Sequence, residues 1–258
     1  MNRSLDGRTI LITRPAEQAG PLVRELEDRG ARVLVAPTIR LVPARSAALT
    51  AALEELAAGG FEWVALTSRT TVHVLRSRLS SPRDVRAKVA VIGEGTAEAF
   101  RRWTGREPDL QPATFTTAAL ARRFPRGSGR VLCARADIAA DGLGAALARK
   151  GWDPVRVDAY RTRLATSFPR EVRRAIMWDE VDAVTFTSAS TVRGFHNALG
   201  LRWGRFRIVC IGPVTAREAR RLLGPVHAVA RPHTIAGLVE AVERALRRGR
   251  PRGIVDWT

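Results

Sequence analysis

The chain has 258 residues, 45% hydrophobic and 26% charged, enough for one large domain or two ordinary ones around packed cores. No run approaches the roughly 18 apolar residues of a membrane span, and Met1 to Gly7 lacks the apolar core of a signal peptide, so a cytoplasmic protein is expected. The net charge of +18 is carried by arginine, with Lys88 and Lys150 the only lysines; such a field draws nucleic acid and polycarboxylate metabolites alike, so it selects no partner by itself.

In chain order, Thr9 to Thr13 reads as a buried strand ending at Arg14-Pro15. A helix follows with Leu22, Val23 and Leu26 on one face and Gly30 as its stop. Arg32 to Ala36 is the next strand. Pro37 to Pro43 alternates between prolines and reads as a linker or an edge strand. Ser46 caps an Ala/Leu-rich helix that stops at Gly59-Gly60. Strands at Phe61 to Leu66 and Val89 to Ile92 then alternate with helices at Thr70 to Leu79, Thr96 to Trp103 and Thr117 to Phe124. Asp109 to Pro112 is at best a short edge, and Pro125 to Gly129 a loop. Cys133 and Cys210 both lie in strand-like runs and read as small buried hydrophobes under reducing conditions.

From Arg130 the opening pattern returns. Arg14 and Arg135 are 121 apart, Thr67 and Thr187 are 120 apart, and Ile92 and Ile211 are 119 apart. Tyr160 falls on Ile39, and Val155 to Arg161 matches the end of the first proline-bounded segment. Pro169 to Trp178 reads as a helix, His227 to Ala230 as a strand, Thr234 to Leu246 as a helix, and Arg247 to Thr258 as a frayed basic tail. A period near 120 is too long for a solenoid and indicates a duplicated α/β domain, each copy with a mostly parallel sheet. Such sheets bind ligands at the carboxyl ends of their strands. Arg14, Ser68, Gly93, Arg135, Ser188 and Gly212 stand at such ends.

Two Thr-Ser pairs, Thr67-Ser68 before Arg69 and Thr187-Ser188 before Ala189, enter helices. Such a turn gathers hydroxyls and free backbone N–H groups, which suits an anion, but a Ser or Thr there also serves as an ordinary N-cap. The same pair of readings holds for Gly93 with Thr96 and for Gly212 with Thr215. Arg14 and Arg135 suit carboxylates by bidentate pairing, although one arginine among so many is solvated or structural by default. Tyr160, the only tyrosine, can donate a proton or simply cover a strand end. Gly93-Glu94-Gly95 is followed by Glu98 at the sixth place, so the dinucleotide fingerprint is absent. No Walker loop or nucleophile elbow occurs, and His73, His196, His227 and His233 lack metal-ligand spacing. Neither cofactor nor metal is expected.

These pieces together resemble the uroporphyrinogen-III synthase family. The resemblance rests on Ile10-Leu11-Ile12-Thr13-Arg14-Pro15, Asp158-Ala159-Tyr160-Arg161-Thr162, Thr185-Phe186-Thr187-Ser188-Ala189-Ser190, Cys210-Ile211-Gly212-Pro213-Val214-Thr215-Ala216 and Thr234-Ile235-Ala236-Gly237-Leu238. It implies two similar flavodoxin-like parallel-sheet domains joined by a two-stranded extended linker: residues 1–36 with 167–258, residues 47–157, and linkers 37–46 and 158–166. Periodicity alone allows simple tandem domains equally. It also implies closure of hydroxymethylbilane, a linear tetrapyrrole with acetate and propionate arms, into uroporphyrinogen III with loss of water and inversion of ring D. Tyr160 would be the proton donor, facing the substrate cleft. Arg14, Thr67, Ser68, Arg69, Gly93, Thr96, Arg135, Thr187, Ser188, Ala189, Gly212 and Thr215 would bind the acid arms. Hydroxymethylbilane synthase would be the upstream donor, and a monomer is expected. Two alternatives stand beside this: a catalytically silent, DNA-associated or regulatory relative, disfavoured because little chain follows Leu246, and a flavodoxin-like protein holding a flavin phosphate.

Overall fold

A computed structural model of the chain describes residues 3–139, 142–200 and 204–247, and the tail beyond Arg247 lies outside them. In chain order the elements are β1 (Thr9–Ile12), α1 (Ala16–Glu27), β2 (Arg32–Val35), β3 (Ile39–Pro43), α2 (Ala47–Ala57), β4 (Trp63–Leu66), α3 (Arg69–Arg78), β5 (Lys88–Val91), α4 (Glu94–Thr104) and α5 (Thr117–Arg123). There follow β6 (Arg130–Ala136), α6 (Gly142–Ala148), β7 (Asp153–Leu164), α7 (Arg170–Met177), β8 (Ala183–Phe186), α8 (Ala189–Leu199), β9 (Arg207–Cys210), α9 (Pro213–Leu223), β10 (Ala228–Val229) and α10 (Ile235–Leu246). The chain divides into two compact units, Met1–Arg40 with Arg163–Thr258, and Leu41–Thr162. Each is an α/β unit built on a sheet that is parallel in its core.

The first unit carries a five-stranded sheet in the order β10-β9-β8-β1-β2. Numbered along the chain within the unit, that order is the 5-4-3-1-2 of a flavodoxin-like doubly wound sheet. β1 and β8 are buried along their whole length because helices cover both faces. α1 and α10 pack on the face of Ile10, Ile12 and Val209. α7, α8 and α9 pack on the face of Leu11, Val184 and Ile208. On that second face Phe195 meets Phe168, Phe186 and Phe206 at centroid distances of 5.2, 5.2 and 5.7 Å.

The second unit carries the order β3-β7-β6-β4-β5. β7, β6, β4 and β5 pair in parallel. The short edge at Leu110 makes an isolated parallel bridge to Ala90. β3, the proline-bounded segment that reads as linker or edge strand, is the outer strand beside β7. α2, α3 and α4 cover Val64, Leu66 and Leu132, while α5 and α6 cover Trp63, Ala65 and Cys133.

The sequence repeat is also a repeat of strand register. Ile12 pairs with Val35 in one sheet, and Cys133 pairs with Arg156 in the other, both members displaced by 121. Ile12 pairs with Thr185 as Cys133 pairs with Ala65. Val209 pairs with Thr185 as Ala90 pairs with Ala65, and Val209 meets Ala228 as Ala90 meets Leu110. One sheet design is therefore used twice, entered at different points along the chain. β6 is the counterpart of β1 although it comes late in its own unit.

Helix starts follow capping chemistry. Ser46, Ser68, Thr116, Ser188 and Thr234 each accept a backbone N–H of the first turn. α6 has no counterpart among the elements read from sequence. Gly142 and Gly144 weaken its helical pattern, and packing of Leu143 and Leu147 under the sheet stabilises it instead. Among the described residues no helix is long and apolar enough to cross a membrane, and no cluster of His, Cys, Asp or Glu is arranged to hold a metal ion.

Candidate active site

In the second unit the carboxyl ends of β4, β5, β6 and β7 bring several of the expected residues together. β4 ends in Thr67-Ser68, and Ser68 caps α3: its Oγ accepts the Thr71 N–H at 3.2 Å and lies 3.0 Å from Thr71 Oγ1. Tyr160, 92 residues away, donates its hydroxyl to the same Ser68 Oγ at 3.1 Å. The phenol ring is packed among the residues beneath α2, α3 and α4, and Tyr160 as a whole is only 8% exposed. Burial pushes its pKa above the usual value of 10; nearby Asp137 adds to this and the Ser68 hydrogen bond opposes it. Tyr160 is therefore held as the neutral, proton-bearing phenol. Asp137 itself accepts the backbone N–H groups of Thr162 and Ile138, which fixes the loop beside the tyrosine.

The next turn is coupled to this one. Gly93 caps α4 in extended conformation, and the Arg69 guanidinium lies beside Gly95, with Nη2 3.2 Å from the place a Cβ would occupy. Thr96 is buried in the first turn of α4 and donates its backbone N–H to the Gly93 carbonyl. The exposed ring of Phe115 covers Gly93 so closely that a Cβ there would stand 3.0 Å from it.

Strand alternation puts Thr67 and Arg135 on the opposite face of the sheet from Ser68, the face of α5 and α6. There they line a pocket of about 300 Å³ together with Ala65, Cys133, Thr117 and Leu143. Arg135 is 4% exposed.

The first unit repeats the turns with different chemistry. Ser188 caps α8, accepting the Thr191 N–H at 3.2 Å, and its Oγ lies 2.9 Å from Ser190 Oγ. Thr187 and Ala189 flank it, half-buried. Ile39, not a tyrosine, stands at the position equivalent to Tyr160. Gly212 caps α9, Thr215 is buried in that helix's first turn, and Arg14 is 8% exposed at the end of β1. The ring of His233 covers Gly212 as Phe115 covers Gly93. His233 Nδ1 lies 2.9 Å from the Ala230 carbonyl, so it donates there and leaves Nε2 for another partner.

Three features have no motif of their own in the sequence: the pocket between α5 and α6, and the Phe115 and His233 rings. The two rings are 118 apart, the offset that also relates Leu110 to Ala228, and that interval is the one signal able to find them.

Comparison with known proteins matches residues 20–240 to the family model described as "Uroporphyrinogen-III synthase HemD". The uroporphyrinogen-III synthase of Synechococcus elongatus is 31% identical over 95% of this chain and 97% of its own. A porphyrin biosynthesis protein HemD of Ruminiclostridium josui is 32% identical over 93% of this chain and 49% of its own. A solved uroporphyrinogen III synthase of Thermus thermophilus, in mutant form, aligns with a TM-score of 0.63 at 19% identity, over 94% of this chain and 100% of that one. That last similarity is one of fold.

Proposed function

The chain belongs to the uroporphyrinogen-III synthase family, and from that premise we propose that it closes hydroxymethylbilane to uroporphyrinogen III in tetrapyrrole biosynthesis, with loss of water. The observation that carries the assignment of roles is the Tyr160 hydroxyl resting on the Thr67-Ser68 turn, 3.1 Å from Ser68 Oγ.

The reaction makes two physical demands. A flexible chain with many acid arms must be curled in one way before it closes. Hydroxyls, backbone N–H groups at strand-end turns and arginines answer that demand, and well-oriented positioning of this kind can lower a barrier by up to about 7–11 kcal/mol. Ser68, Arg69 and Gly93 in the second unit, with Ser188, Ala189 and Gly212 in the first, take this role. Thr67, Thr187, Arg14 and Arg135 supply further hydroxyls and cations. Thr96 and Thr215, buried in their helices, hold the turns in shape more than they touch a ligand.

The second demand is departure of the hydroxyl from the terminal hydroxymethyl carbon. Tyr160 donates its proton to that oxygen, the C–O bond breaks, water leaves, and a cationic azafulvene remains. Ring D attacks through its already substituted carbon; the resulting spiro intermediate opens by breaking the bond to that carbon's original substituent and recloses through the free α-carbon of ring D, whose proton is lost and restores the Tyr160 phenol, with the ring inverted. The raised pKa of Tyr160 keeps the proton in place until it is needed. The net reaction eliminates water and makes a carbon–carbon bond, so the activity is that of a cyclising hydro-lyase.

The test is an assay with hydroxymethylbilane that separates isomer III from isomer I. Isomer I forms spontaneously, so the protein should turn the product mixture to isomer III; isomer I alone at every protein concentration would refute the reading.

A further inference from the structure

The two copies of the sheet differ in side-chain size at a central cross-strand pair near the carboxyl ends of the strands. In the first unit Ile12 sits beside Thr185 at the carboxyl ends of β1 and β8; in the second, at identical register, the pair is Cys133 beside Ala65. The helices over this pair differ too. α1 and α10 have 12 residues each, and α5 and α6 have 7 each. Smaller side chains under shorter helices leave the pocket of about 300 Å³ in the second unit. Its place is significant: β6 and β4 are the strands from which the chain winds to opposite faces, α6 to one and α3 to the other. Doubly wound sheets bind their ligands at that crossover point, outside the strands' carboxyl ends.

The lining restricts the occupant. Ala65, Ala118, Ala134 and Leu143 give apolar walls, Thr67 and Thr117 give hydroxyls, and Arg135 gives a buried cation. The volume stands at the lower limit of small-molecule sites, about 300–1,000 Å³. It admits one ring and short side chains, not a whole tetrapyrrole. We infer that this pocket is a subsite for a single pyrrole ring of the substrate, with its ring against the apolar walls and an acid arm at Arg135. The inference rests on the synthase reading and adds to it a division of labour: the second unit both seats a ring and carries Tyr160, on opposite faces of one sheet, while the first unit has neither the cavity-forming pair nor the tyrosine.

The first unit supplies the test. The double variant Ala65→Thr, Cys133→Ile installs its own counterpart pair, already accommodated at the same register in this fold. A second variant, Leu143→Phe, fills the pocket from α6. Each is compared with the wild-type protein in thermal melting, in steady-state kinetics with hydroxymethylbilane, and in calorimetric titration with a monopyrrole bearing one acetate and one propionate arm. The expected result is a protein that melts as the wild type does, a KM raised about tenfold with kcat changed far less, and loss of the monopyrrole binding seen with wild type. A wild-type protein that makes isomer III, beside a folded filled-pocket variant of unchanged KM and monopyrrole affinity, overturns the subsite and leaves the synthase reading intact. A wild-type protein that makes no isomer III overturns both. Should the double variant fail to fold, Leu143→Phe distinguishes the same outcomes.

Discussion

Replacing Tyr160 with Phe separates its chemistry from its packing. The residue is 8% exposed with its ring packed under three helices, and Phe keeps that ring, so no cavity opens. What disappears is the O–H donated to Ser68 at 3.1 Å. A neutral hydrogen bond of this kind contributes about 0.5–1.5 kcal/mol to stability. Ser68 keeps its contacts to the Thr71 N–H and Oγ1, so the cost falls toward the lower end. For a chain of this size that is a fall in Tm of about 2–4 °C per kcal/mol. Loss of a general acid, by contrast, lowers turnover roughly 10²–10⁴-fold; on the proposal that the surrounding turns grip the substrate independently of the phenol, the expected loss is about 10². The two effects differ enough to be told apart by melting curves and by timed quantification of isomer III. A pH profile adds a sign. A phenol whose pKa is raised holds its proton longer as pH rises, so wild-type activity should show no loss attributable to Tyr160 below about pH 10. Turnover of folded Tyr160→Phe equal to wild type would refute the role of the tyrosine as proton donor.

Gly194 in α8 lies so close to the Thr38 carbonyl that a Cβ would overlap it, so Gly194→Ala should destabilise the protein by about 1–3 kcal/mol or more; chemical denaturation measures this, and an unchanged midpoint contradicts the packing described. His227 accepts the Ile208 N–H at Nδ1, 2.9 Å away, and burial together with nearby Arg207 lowers its pKa below 6.5. Because the folded-state pKa is depressed, its contribution is fully present above about pH 6.5 and is lost as pH falls through the lowered value. Urea midpoints at pH 7.5 and below pH 6 should therefore differ more in wild type than in His227→Gln, and equal differences would remove His227 from the acid response. The Cys210 thiol, pushed up to about 12 by burial, should resist a thiol reagent at neutral pH until the protein is unfolded; rapid labelling of the native Cys210 would contradict its burial.

The local chemistry of this protein is legible along the chain. Short apolar runs with hydroxyls after them are buried on both sides, as in β1 and β8, and Ser46, Ser68 and Ser188 cap the helices that follow, because strand burial and N-capping depend mainly on neighbours in the chain. The repeat near 120 residues is legible for a related reason: two copies of one fold must satisfy the same core. Which residues meet across the sheets is a property of the folded units. Tyr160 reaches Ser68 across 92 residues because β7 and β4 flank β6 in parallel register. The pocket exists because Ala65 and Cys133 are opposite one another under α5 and α6, and α6 itself is held by packing against that face more than by helix propensity. A sequence displays each side chain and its local period, but contacts across a sheet follow from register and from which face a helix covers, and those are settled only when the whole core packs.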